Sequence, residues 1–429
     1  MNVRFVSLMI AAATLVAACD DGSTTTTSST SSETGGSGGS GAAGATGGTG
    51  GTGGATGGAG GTGGATGGTG GTGGTGGSAC ILAQADAYDG TGYDANAAET
   101  LTLRTQAGAL NSAMLMAETD LTIMPKLEDL IALYEAGTPS VKSITTAYYD
   151  GVLLGRLAEL EAAAGNVWVP AAPPSGPGGK FGSYIFTSTG VDLRQAVEKG
   201  LFGAAWYNYS LGIAKSGVDA ASLDKMLAAY GAHPSFPGDS AAMTNPDRIF
   251  AQYAERRSPK DPGDASKPLD PQKPGPYFRI KAQFIRAQEA IAAGAACDAE
   301  RDDAVGQILS ESERAIFATV VYYLNDASLK LTKEGATEAE LASGLHGYGE
   351  SIAFIHGFRA LPADGRIVTD AQIDELLALI DAPHDAPATS YLLVTDGATE
   401  VPKLLEAIQK IADIYGWTDE DIDAFKTNH

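Results

Sequence analysis

Apolar residues recur at spacings of three and four along much of the chain, as in Ile373, Leu376, Leu377 and Ile380, or Leu404, Leu405, Ile408, Ile411 and Ala412. That spacing lays a stripe along one face of a helix. Start signals accompany the stripes: Ser310-x-x-Glu313 and Thr337-x-x-Glu340 have the form of capping boxes, Thr369-x-x-Gln372 is the glutamine version, and Thr418 precedes an acidic turn. Strand-like alternation is confined to 167–169 and 183–187. The Pro/Gly-rich stretches 170–179 and 259–276 are loops that no helix crosses. They divide the helical pattern into blocks at roughly 99–164, 191–257 and 276–426, so the expected fold is all-α, built of helical bundles over residues 80–429.

The first part of the chain carries a different pattern. Arg4 precedes an apolar run over 5–18 that is shorter than the ~20 residues needed to span a bilayer, so residues 1–18 read as an export signal. The run ends Leu15-Val16-Ala17-Ala18-Cys19. This resembles the bacterial lipobox, in which small residues fit the signal peptidase and the cysteine sulfur receives a diacylglycerol. An ordinary signal peptide with a cysteine at its boundary is the alternative. Lipid on Cys19 would hold the chain at a membrane of the cell envelope, because several acyl chains on one cysteine anchor stably. The leaflet stays open.

Residues 19–79 then form the anchor point and a tether. Repeats of Gly-Gly-Thr and Gly-Gly-Ala offer almost no apolar side chains to offset the entropy of ordering, so disorder is expected. A Gly-rich coil of roughly 60 residues reaches about 40 Å. Matches to nucleotide or nucleophile motifs in this stretch carry nothing, because no strand or helix flanks them.

Of the three cysteines, Cys19 is assigned to lipid. Cys80 and Cys297 remain in a compartment where thiols oxidise, and a disulfide between them is expected, with two buried free thiols as the alternative. No CxxC or Cys/His cluster suggests a sulfur-bound metal. The formal charge of -23 argues against a nucleic-acid partner, since phosphate binding draws on Lys and Arg.

Several runs then occur in order: QAVEKGLFGA at 195–204, AYGAHPSFP at 229–237, FAQYAERR at 250–257, YYLN at 322–325 and HGYGESIAFI at 346–355. Together they resemble an imelysin-like bacterial lipoprotein family known only as a domain of unknown function, over roughly residues 99–426. The resemblance implies an all-α, envelope-anchored protein without an established reaction. Imelysins are linked to iron uptake and have also carried a peptidase label. The resemblance therefore implies iron or another divalent metal as a possible cofactor. One position departs from the family, Tyr322 standing where a histidine is usual.

Read physically, His346 and Glu350 are four residues apart on one helix face. They could share a hydrogen bond as a structural pair, poise a proton, or offer two ligands to a metal. The imelysin motif is Gly-x-His-x-x-Glu; Gly344-Leu345-His346 matches its first half, and Glu350 comes one residue late. A zinc-protease reading lacks a second histidine and an adjacent base. Gly344, Gly347 and Gly349 cost helix stability, so close packing or a ligand is expected to offset them.

Other residues carry less. Trp206, Tyr207 and Tyr209 read as core, with a binding platform as the alternative. His356 falls off the face of His346 and reads as half-buried; His233 lies in a turn, and His384 and His429 in a loop and at the terminus. Asp419, Asp421 and Asp423 lack the rest of a calcium loop and read as an acidic first turn. Arg248, Arg256 and Arg257 could meet an anion or balance nearby acids. The leading expectation is a membrane-anchored binding protein. Its cleft between helix blocks would take a metal, a metal complex or another small ligand through His346, Glu350 and Tyr253. A metal-dependent peptidase and a structural or protein-interaction module are the alternatives.

Overall fold

Three of the sequence-level start signals act as such in the computed structural model, which describes residues 79–429. Thr337, Thr369 and Thr418 each cap a helix, and in each case the third helical residue, Glu340, Gln372 or Asp421, reaches back to the cap backbone. The reciprocal bonds satisfy amides that the helix itself leaves open. The expectations for residues 1–78, including the signal, the lipid on Cys19 and most of the tether, lie outside the described residues.

Ser310 and Glu313 do not begin a helix. Both lie inside the 34-residue helix Asp298–Leu331, where the preceding turns are already helical and Ser310 cannot adopt the extended cap conformation. The fully buried Glu313 takes a tertiary role. Its carboxylate accepts the backbone amides of Ile367 and Val368 at 2.8 and 2.7 Å and the Tyr415 hydroxyl at 2.8 Å, fastening a loop and a second helix to this one.

The protein is mostly helical. The long helix packs against Pro276–Ala293, Glu338–Gly357 and Gly397–Tyr415, while the first long helix, Tyr93–Thr119, packs against Ala220–Tyr230. The three expected blocks are thus not separate bundles, since one hydrophobic core runs through them all. Ile373, Leu376, Leu377 and Ile380 are buried in it, as are Leu404, Ile408, Ile411 and Ala412; Leu405 faces outward.

Strands are few and short. Gly179–Phe181 pairs antiparallel with Tyr184–Phe186, in the place where alternation was expected, and Val167 adds a bridge to Lys180. The second Pro/Gly-rich stretch holds a hairpin that its composition hid, Lys260–Asp261 with Asp264–Pro268. It ends at Pro276, which opens the next helix, a position where its missing N–H costs nothing. Cys80 and Cys297 form a disulfide that ties the start of the described chain to the turn before the longest helix. Among the described residues no helix is long and apolar enough to cross a membrane.

Candidate functional site

The helix Glu338–Gly357 carries His346 and Glu350 on one face, and two neighbouring elements close over them. His346 Nδ1 lies 2.9 Å from Asp192 Oδ2, and His346 Nε2 lies 3.6 Å from Glu350 Oε1. Asp192 divides its carboxylate between two tasks: Oδ1 caps the short helix Leu193–Glu198 through the Gln195 amide, and Oδ2 meets the imidazole. Gly349 makes this approach possible, because a Cβ there would lie 2.7 Å from Asp192 Cβ. Gly344 is likewise crowded, by Leu331, whereas a Cβ on Gly347 would meet nothing closer than 3.5 Å. On the other side Tyr184, from the first hairpin, stacks on the imidazole at 3.9 Å between ring centroids.

The charges continue as an alternating chain. Glu350 Oε1 lies 3.6 Å from Lys199 Nζ, which is 2.7 Å from Glu198 Oε1. Arg194 bridges Glu198 at 2.9 Å and Glu118 at 2.7 Å. With its nitrogen turned toward Glu350, the Gln195 amide donates there at 3.2 Å, and its oxygen accepts from Arg194. These groups are almost entirely buried. Such a chain holds together only because each carboxylate has a cation beside it.

The electrostatic consequences differ along the chain. Burial opposes the imidazolium of His346, yet the bond and charge of Asp192, with Glu350, outweigh it and raise the pKa. Burial likewise opposes ionisation of Glu198, and Lys199 and Arg194 overcome it, holding that carboxyl down at about 2. Glu118 ends differently: burial dominates over Arg194 and lifts its carboxyl to about 7.

Tyr253 joins from the helix Ile249–Arg256, with Lys199 Nζ 5.5 Å from its ring centroid. The sequence-predicted trio therefore does converge, with Lys199 between Glu350 and Tyr253. Around it gather Phe202, Phe250, Tyr323 and Phe354, with ring centroids 5.1 to 6.5 Å apart. Four of the motif runs thus meet at one aromatic cluster. Tyr322 lies beside it, under the Arg257 guanidinium at 4.3 Å and accepting from Asn428 at 3.0 Å.

As a metal centre this set fits poorly. His346 already has a carboxylate at each nitrogen, and the Lys199 ammonium stands where a cation would need Glu350. Among the described residues no group of three or more His, Cys, Asp or Glu side chains is placed to hold a metal ion. Among the described residues the partners of the His346 nitrogens are the carboxylates of Asp192 and Glu350, not a hydroxyl or thiol that it could activate.

The remaining candidates have structural partners. Trp206 and Tyr207 are core residues in a π-helical segment, Phe202–Tyr207, and Tyr209 packs against the core. Arg248 donates to the Ser240 and Asp247 carbonyls, and Arg257 to that of Phe425. His233 Nδ1 pairs with Ser235 in its turn. Asp419 and Asp421 occupy the first turn of the last helix, with Asp423 in the following turn. His356 and His384, which the sequence did not connect, line one cavity of about 290 Å³. Lys199, Asp192 and Arg194 were also missed; their sequence signal is a cluster of charges, Asp192 to Lys199, inside an otherwise apolar run.

In comparison with known proteins, the chain matches no family model, no curated protein and no solved structure.

Proposed function

We propose that the chain is a lipid-anchored protein of the bacterial envelope whose helical domain binds a small ligand and carries out no reaction at His346 and Glu350. The observation that carries this reading is the Cys80–Cys297 disulfide. A bond of this kind persists where thiols are oxidised, as they are outside the cytoplasm, and it sits where the Gly/Thr segment enters the domain. Export through residues 1–18, lipid on Cys19 and a tether over 19–79 are consistent with that compartment. The ordered motif runs support an imelysin-like membership, and four of them share the aromatic cluster beside Lys199.

Within this reading His346 and Glu350 act as a structural pair. Their partners Asp192 and Lys199 tie the short helix Leu193–Glu198 to the helix Glu338–Gly357. An iron or other divalent-metal role, implied by the resemblance alone, has no support in this donor set, and ligand binding belongs elsewhere in the domain.

Expression in a bacterial host with radiolabelled palmitate tests the anchor. Label on the wild-type chain in the membrane fraction, lost together with membrane retention in Cys19→Ala, is the expected result. An unlabelled chain that fractionates as soluble overturns it. Elemental analysis of the purified chain tests the pair; stoichiometric metal that disappears in His346→Ala would restore the metal reading.

A further inference from the structure

The cavity of about 290 Å³ lies along the helix Glu338–Gly357, nearly three turns beyond His346. Its size is at the small end of ligand pockets. Its walls mix apolar side chains, among them Ile352 and Leu377, with a few polar groups: Arg156, Glu159, His356 and His384. That mixture of an apolar body and a few convergent polar groups is what a small-molecule site requires.

The hydrogen bonds fix what each polar group has left to offer. His384 Nε2 faces Arg359 at 2.9 Å, and a guanidinium only donates, so Nε2 accepts. Nδ1, 3.0 Å from Asp374, then carries the proton, and both nitrogens are used. His356 is different. Its Nε2 lies 2.7 Å from the Tyr148 hydroxyl, and Nδ1 has no partner among the described residues. With Nε2 accepting from Tyr148, Nδ1 presents an N–H. Arg156 contributes one N–H to Glu159 at 2.7 Å, leaving its other donors.

The field in the cavity favours an anion. Burial comes first in depressing the His356 imidazole to about 3, and the positive charges of Arg156 and Arg359 add to it, with Asp374 opposing. Burial penalises a charge of either sign, so it is the guanidinium groups of Arg156 and Arg359 that favour a carboxylate here. Glu159 is the competing negative charge; its side chain is 47% exposed, so solvent screens it.

We propose that this cavity binds a small carboxylate with an apolar body, the carboxylate taken by Arg156 and His356 Nδ1 and the body packed against Ile352 and Leu377. The proposal rests on the reading of the domain as a binding module, and it names the place and the class of ligand.

Calorimetric titration and thermal melting of the full-length chain in detergent test it, with benzoate and hexanoate as probes and benzamide and hexanamide as their uncharged counterparts. The acids are expected to bind and to raise the melting temperature, the amides at least tenfold more weakly. Arg156→Met should weaken the acids at least tenfold. Ala386→Phe, at an exposed residue of the cavity wall, should abolish binding by filling the space while leaving every charge in place. Amides that bind as tightly as the acids overturn the carboxylate class and leave the binding module standing. Absence of binding by all four probes overturns the cavity as a site. Undiminished acid binding in a folded Ala386→Phe chain likewise places the ligand elsewhere.

Discussion

Gly203 and Gly357 touch backbone to backbone: a Cβ on Gly203 would lie 2.5 Å from the Gly357 carbonyl carbon. Gly203 belongs to the π-helical segment Phe202–Tyr207 and Gly357 ends the helix bearing His346 and Glu350. This crossing sets how closely the two halves of the aromatic cluster, Phe202 and Phe354, can approach. Gly203→Ala should therefore separate them and cost about 1–3 kcal/mol, as overpacking against backbone does. Gly212, in the following helix, has nothing within 4 Å of its missing Cβ and is exposed. Gly212→Ala should stabilise by about 0.5–1 kcal/mol. Urea unfolding of both variants checks the contrast; equal effects would mean that the crossing tolerates a methyl group.

The disulfide closes a span of 217 residues, nearly the whole of the first two-thirds of the domain. In the chain-entropy account, closing so long a loop stabilises by about 4–5 kcal/mol. Reduction, or the paired change Cys80→Ser with Cys297→Ser, should lower the melting temperature substantially while leaving the helical circular dichroism of the folded state intact. A melting temperature unchanged under reductant, with two free thiols counted, would show that the pin adds nothing.

The parts that were legible in the sequence are those whose physics is local. Thr337, Thr369 and Thr418 cap their helices because a cap and its third residue need only each other. Ser310 and Glu313 show the limit of that signal, since nothing within four residues records that the chain before them is already helical. His346 and Glu350 could be paired from a spacing of four, but Asp192 lies 154 residues away, and its choice of partner depends on Gly349 admitting it. The cavity was invisible for the same reason. Its histidines come from a helix and a loop, and only packing brings His356 and His384 to one wall.

Arg194 holds two carboxylates, Glu118 and Glu198, at 2.7 and 2.9 Å with little access to water. Removing one partner of a buried pair leaves charge without compensation, and Arg194→Met should cost about 3–5 kcal/mol. Burial already lifts the Glu118 carboxyl to about 7, so at pH 8.5, where it is held ionised, adding Glu118→Gln removes one of the orphaned charges and the double variant should recover roughly 0.5–3 kcal/mol of that loss. A double-mutant cycle in denaturant measures the recovery. Strict additivity of the two changes would mean that Glu118 and Arg194 do not depend on each other.

Asp247 provides a test in pH. It is fully buried, with Oδ2 accepting the Asp239 amide at 3.0 Å. Burial, reinforced by the charge of Glu255 and opposed by a bond from Tyr277, lifts its carboxyl to about 7. In the unfolded chain the group returns to the ordinary value near 4. Between about pH 4 and 7 the folded state thus holds a proton that the unfolded state has released. Stability from this group is complete below that window, falls as pH rises through it, and levels off above it. Asp247→Asn keeps an acceptor for the Asp239 amide and cannot ionise, so it should leave stability nearly unchanged at pH 4.5. At pH 8 it should exceed the parent by roughly 1–3 kcal/mol. Urea unfolding of both chains at the two pH values gives the difference directly, and because every other titrating group is common to both, a pH-independent difference would mean that Asp247 is ionised throughout.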